Sequence, residues 1–125
     1  MINLINLDEL KFKSFKIIKK RFNLNLRRAY GRSISHKIID GFKYDLNVAY
    51  GKYEKEPFEG PYDSVWYSDV FKECNAKDAS YIRIHIALQD IRGFVEINKS
   101  EIDNIDKISE KIANYAMIAL INEME

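Results

Sequence analysis

The sequence predicts an α+β fold: an antiparallel sheet of four to five strands with an N-terminal and a C-terminal helix packed on it. Three observations carry that expectation. Apolar side chains recur at helical spacing near both ends of the chain, over about residues 7–22 and again from Ile102 to Ala119. Between them, apolar and polar residues alternate with the period of a half-buried strand. The helical and strand-like stretches do not alternate regularly, which argues against βαβ units and a parallel sheet. With 125 residues, 46% of them hydrophobic, the chain is expected to form one globular domain spanning 1–125.

The first helix opens at Asn6-Leu7-Asp8-Glu9, where Asn6 is placed to cap and Glu9 to reach back. Leu7, Leu10, Phe15, Ile17, Ile18 and Phe22 share one arc of the helical wheel, and Phe12 points elsewhere. Leu24 and Leu26 alternate with asparagine and arginine, as in an edge strand ending near Tyr30-Gly31. Asp40-Gly41 suits a type I′ turn between a strand over Ile34–Ile39 and the run Phe42, Tyr44, Leu46, Val48, Tyr50. Residues 54–63 hold both prolines and four acids, and are expected as an exposed loop. Trp66, Val70 and Cys74 recur every fourth residue, so 68–75 reads as a short helix. Ile82, Ile84, Ile86 and Leu88 mark the next strand, and Gly93 a turn into Phe94–Ile97. Ser100-Glu101-Ile102-Asp103 has capping-box spacing, followed by the stripe Ile105, Ile108, Ile112, Tyr115, Ala116, Ala119.

Composition narrows the function. The single cysteine, Cys74, cannot form an internal disulfide, and no apolar run approaches the roughly 20 residues of a membrane span. The first ten residues have no basic stretch before an apolar run, so no signal peptide is expected and a cytoplasmic location is. No glycine-rich phosphate loop occurs, and one cysteine with two histidines gives no zinc spacing. No metal or cofactor is expected. A nuclease built on His36 and His85 requires the two imidazoles to converge; His85 shares the polar face of its strand with Arg83.

Charge is unevenly distributed. Residues 1–39 carry a net +8 and residues 40–125 a net −7, leaving +1 overall. Two binding surfaces follow. The acidic, aromatic stretch Glu54, Glu56, Phe58, Glu59, Tyr62 and Asp63 suits a basic protein partner: carboxylates steer the encounter and aromatics supply the desolvated contacts. Segment 11–32 suits nucleic acid, with Lys19, Lys20, Arg21, Arg27, Arg28 and Arg32 placed to neutralise phosphates. The simpler expectation is that the two halves neutralise each other on folding.

The stretch Arg28-Ala29-Tyr30-Gly31-Arg32-Ser33 resembles a segment of some bacterial contact-dependent growth-inhibition immunity proteins. The resemblance covers six residues and brings no site residues with it. It implies a small cytoplasmic protein that binds one cognate toxin domain, often a nuclease, and blocks its active site. The expected function is therefore a non-enzymatic protein inhibitor of that kind, acting through residues 54–63. The alternative is a small nucleic-acid-binding phage or plasmid protein using residues 11–32.

Overall fold

The computed structural model describes residues 4–29, 43–88 and 91–124, and their side chains except at 22–29, 121, 123 and 124. In chain order the elements are α1 (Leu7–Ala29), β1 (Tyr44–Glu59), β2 (Val65–Glu73), β3 (Tyr81–Leu88), β4 (Ile91–Asn98) and α2 (Ile105–Met124). This is the expected α+β arrangement, with four described strands, all pairing antiparallel in the order β2-β1-β3-β4.

The alternation that predicts the strands also decides which face is covered. Register aligns Tyr44, Leu46, Val48 and Tyr50 with Leu88, Ile86, Ile84 and Ile82, and these with Ile91, Gly93, Val95 and Ile97. All twelve positions share one face. On it sit Leu10 and Ile18 of α1 and Ile108, Ile112, Ala113, Ala116, Met117 and Leu120 of α2, forming one buried core. Gly93 is inside β4 and not at a turn, opposite Ile86. A Cβ there would run into the ring of Tyr115, so the glycine admits an aromatic side chain against the backbone.

The first helix starts as expected: the Glu9 N–H donates to Asn6 Oδ1 (3.1 Å). It does not end at residue 22 but continues to Ala29, so the edge strand at Leu24 and Leu26 is not formed. Leucine, arginine and alanine propagate a helix well, and a four-residue alternation is too short to interrupt one. The second helix begins later than the capping-box spacing implies. Lys99–Glu101 form a single 3₁₀ turn, and Asn104 is the cap, accepting the Lys107 N–H on Oδ1 (3.2 Å).

The largest departures lie between residues 54 and 75. The expected loop is strand as far as Glu59, and the expected short helix is β2. Trp66, Val70 and Cys74 are all even-numbered, so a spacing of four puts them on one face of a strand as readily as of a helix. Pro57 is accommodated because of strand geometry. Tyr50 accepts the Cys74 N–H on the β2 side, so even-numbered peptide groups of β1 face β2. Pro57 therefore directs its missing N–H to the opposite edge, where β1 has no described partner beyond Gly51. The Asp40-Gly41 turn, the strand over Ile34–Ile39 and His36 lie outside the described residues.

Candidate functional site

One strand serves two structures. Residues 44–51 of β1 pair with β3 in the sheet, and residues 51–59 pair only with β2. Gly51 is common to both, with its neighbours crossing closely. A Cβ there would strike the Lys72 carbonyl and the Phe71 ring. Past this point β1 and β2 continue as a two-stranded ribbon beyond the sheet and its helices.

The ribbon closes at Pro61–Asp63. Tyr62 and Asp63 have φ of 62° and 59°, and the Ser64 N–H donates to the Pro61 carbonyl. Two consecutive left-handed residues closed by such a bond are the mark of a type I′ hairpin turn, normally built from Asn-Gly or Asp-Gly. Here a tyrosine occupies the first position, at a cost of about 1 kcal/mol in backbone strain. The surrounding bonds hold it there. Gly60 N–H donates to the Ser64 carbonyl (2.8 Å), Ser64 Oγ to the Pro61 carbonyl (2.6 Å) and Trp66 Nε1 to Ser64 Oγ (2.7 Å). The Trp66 indole lies against Gly60, where a Cβ would overlap it.

This frame displays apolar surface. Tyr62 is 100% exposed, Tyr67 66%, Trp66 54% and Phe58 49%, and Val65 stands beside them. Phe58 and Trp66 are directly opposite on one face, and Pro57 and Tyr67 on the other. Large aromatics clustered in the open on so small a domain mark a contact surface more often than an accident of packing.

The acids divide into two sets. Glu54 lies 3.9 Å from Lys52, and Glu56 is bonded to Lys72 across the ribbon. That bond, and then the Glu56 charge, raises the Lys72 pKa above its ordinary value. Each of those two carboxylates thus has a lysine beside it on the ribbon. Glu59 and Asp63, nearer the turn, are exposed and frame Tyr62. The six residues expected from sequence thus fall on one ribbon, with Glu54, Glu56 and Phe58 on one face and Glu59 on the other. Val65, Trp66 and Tyr67 belong to the same surface, and a strand reading of 65–71 would have found them.

The basic first third is more committed to the fold than its charge implies. Lys11 pairs with Asp45 (3.4 Å), Lys13 with Asp106 (3.0 Å), and Arg21 with Glu110 and Asn114. Lys19 lies 5.6 Å over the Phe15 ring, and Lys20 is exposed. The Arg27 and Arg28 side chains and all of Arg32 fall outside the described residues. His85 is exposed on the sheet face opposite α1 and α2, its ring 5.6 Å from Phe94. It lines a shallow depression of about 370 Å³ with Asp45, Asn47, Arg92 and Phe94. Among the described residues, no group of three or more histidine, cysteine or acidic side chains is placed to hold a metal ion, and no helix is long and apolar enough to cross a membrane. Comparison with protein-family models, curated protein sequences and solved structures gives no match.

Proposed function

We propose that this chain is a non-enzymatic protein inhibitor, an immunity protein whose ribbon tip enters and occludes the basic active-site cleft of a cognate toxin domain. The observation that carries the reading is the hairpin tip itself: a fully exposed tyrosine held in a strained left-handed conformation by four surrounding residues. Strain of this kind persists where the surroundings over-determine it, and it concentrates at sites of function. Tyr62, Trp66, Tyr67 and Phe58 would be the desolvated anchors, and Glu59 and Asp63 the charges that steer the tip toward a basic rim. Preorganisation reduces the ordering cost of binding, which favours a built ribbon over a loose acidic loop.

The test is affinity capture from lysate of the source organism with and without nuclease treatment, with the wild-type chain and Tyr62→Asn side by side. Asparagine tolerates the left-handed region, so the variant is expected to be more stable by about 1 kcal/mol. It is also expected to lose a stoichiometric polypeptide that the wild type retains, because a central aromatic anchor contributes roughly 2 kcal/mol or more. Capture of the same polypeptide by both chains removes the tip from the interface. Recovery of nucleic acid without a protein would shift the reading to Lys19, Lys20, Arg21 and the rest of segment 11–32.

A further inference from the structure

A two-stranded ribbon is marginal on its own and needs an anchor to hold one direction. The anchor is on the sheet face opposite α1 and α2. Arg83 of β3 extends across the line of β1, which presents only Ala49 and Gly51 beneath it on that face. Its guanidinium carbon lies 4.0 Å from the Phe71 ring centroid on the ribbon and 4.5 Å from that of Phe94 on β4. The planar cation is thus gripped between an aromatic of the ribbon and an aromatic of the far edge strand. Arg83 Nη2 also donates to Tyr53 Oη (3.1 Å), and Tyr53 Oη donates to Glu96 Oε2 (2.7 Å). Tyr53, at the base of the ribbon, meets Phe71 and Tyr81 edge-on at 5.6 and 5.2 Å.

We propose that Arg83 is a positioning residue: it clamps the base of the ribbon to the sheet and so fixes the direction in which the tip is presented. This rests on the reading of the ribbon as the binding element. The cluster is poorly optimised for stability alone, since Arg83 Nε and Glu96 Oε1 are buried without a hydrogen-bond partner. A buried polar group left without a partner costs stability. What the cluster supplies in return is a single geometry joining β1, β2, β3 and β4 through one side chain. The small residues at 49 and 51 serve the same end, because a larger side chain at either would lift the guanidinium off β1.

The experiment uses the free, full-length chain and no partner. Residual dipolar couplings and amide exchange are measured for the ribbon, 53–59 and 65–71, and for Ile82, Ile84 and Ile86 in the sheet. The variants are Arg83→Met, which keeps apolar bulk between the rings, Arg83→Lys, which keeps charge but not the planar fork, and Tyr53→Phe, which removes only the bridging hydroxyl. In the wild type, one alignment is expected to fit ribbon and sheet together. In both Arg83 variants the ribbon couplings should shrink and ribbon exchange accelerate about tenfold, with the three sheet amides unchanged. Tyr53→Phe should fall between. Ribbon values equal to wild type in both Arg83 variants would overturn the proposal. So would a parallel loss in ribbon and sheet in all three variants, which would make Arg83 a residue of general stability. Failure of the tip as a contact surface would appear instead in Tyr62→Asn capture and would leave these couplings untouched.

Discussion

Tyr44 and Ser14 form a polar pair inside the core. Ser14 Oγ donates to the Leu10 carbonyl (2.7 Å), which leaves the Tyr44 hydroxyl to donate to Ser14 Oγ (2.6 Å). Burial pushes the Tyr44 pKa up to about 12, and the Ser14 hydroxyl offsets part of that shift. The folded chain therefore keeps a proton that the unfolded chain releases near 10. Its contribution is complete below pH 10 and disappears as pH rises from 10 to about 12, an amount on the order of a few kcal/mol. Absorbance titration of the eight tyrosines should show one ionising late and together with loss of fold. Ser109 is the contrasting case, fully buried with no partner for Oγ. Ser109→Ala removes an unsatisfied hydroxyl and improves helix propensity, so denaturant unfolding should report a gain of about 1 kcal/mol. Neither residue was legible in advance, because a serine in a helical stripe looks the same with or without a partner across the core.

Elements differ in how far local sequence specifies them. Both terminal helices were legible from their apolar stripes, and α1 from its Asn6 cap as well. The start of α2 was not, since Ser100-Glu101-Ile102-Asp103 and Asn104 compete over four residues and only packing of Ile102 and Ile108 settles the matter. The two caps predict different outcomes: Asn104→Ala should cost about 1 kcal/mol in thermal or denaturant unfolding, and Ser100→Ala only a few tenths. The strands β1 and β3 were legible where one face is buried, at residues 44–50 and 82–88. From 51 to 73 that signal disappears, because the ribbon is wet on both faces and has no apolar–polar alternation to display. Prolines, acids and a four-residue spacing then mimic a loop followed by a helix. The stretch expected as an exposed loop and a short helix is therefore one hairpin, and the aromatics on either side of its turn are brought onto one ribbon only by strand pairing.

Across the whole molecule, the opposed charges of the two halves meet in the fold. Lys11, Lys13 and Arg21 of the basic third reach Asp45, Asp106 and Glu110 of the acidic remainder. These are surface pairs and each contributes little to stability. Their consequence is for recognition, since Glu59 and Asp63 at the ribbon tip are exposed and lie outside these ion pairs. Charge reversal of Glu59 and Asp63 should therefore slow association with the captured polypeptide and flatten its salt dependence. Reversal of Glu54 and Glu56, already paired with Lys52 and Lys72, should change both less, and stopped-flow rates at two ionic strengths would separate the two cases. By itself, the sequence determined the α+β class, the two helices, the strands with one buried face and the stretch that carries the exposed acids and aromatics. These are properties of local periodicity and composition, which the chain carries wherever it folds. Tertiary structure alone decided that residues 51–73 form a ribbon, that Tyr62 stands at its turn and that Arg83 holds its base. Those depend on pairing between residues far apart in the chain, for which a two-stranded ribbon exposed on both faces leaves no periodic trace.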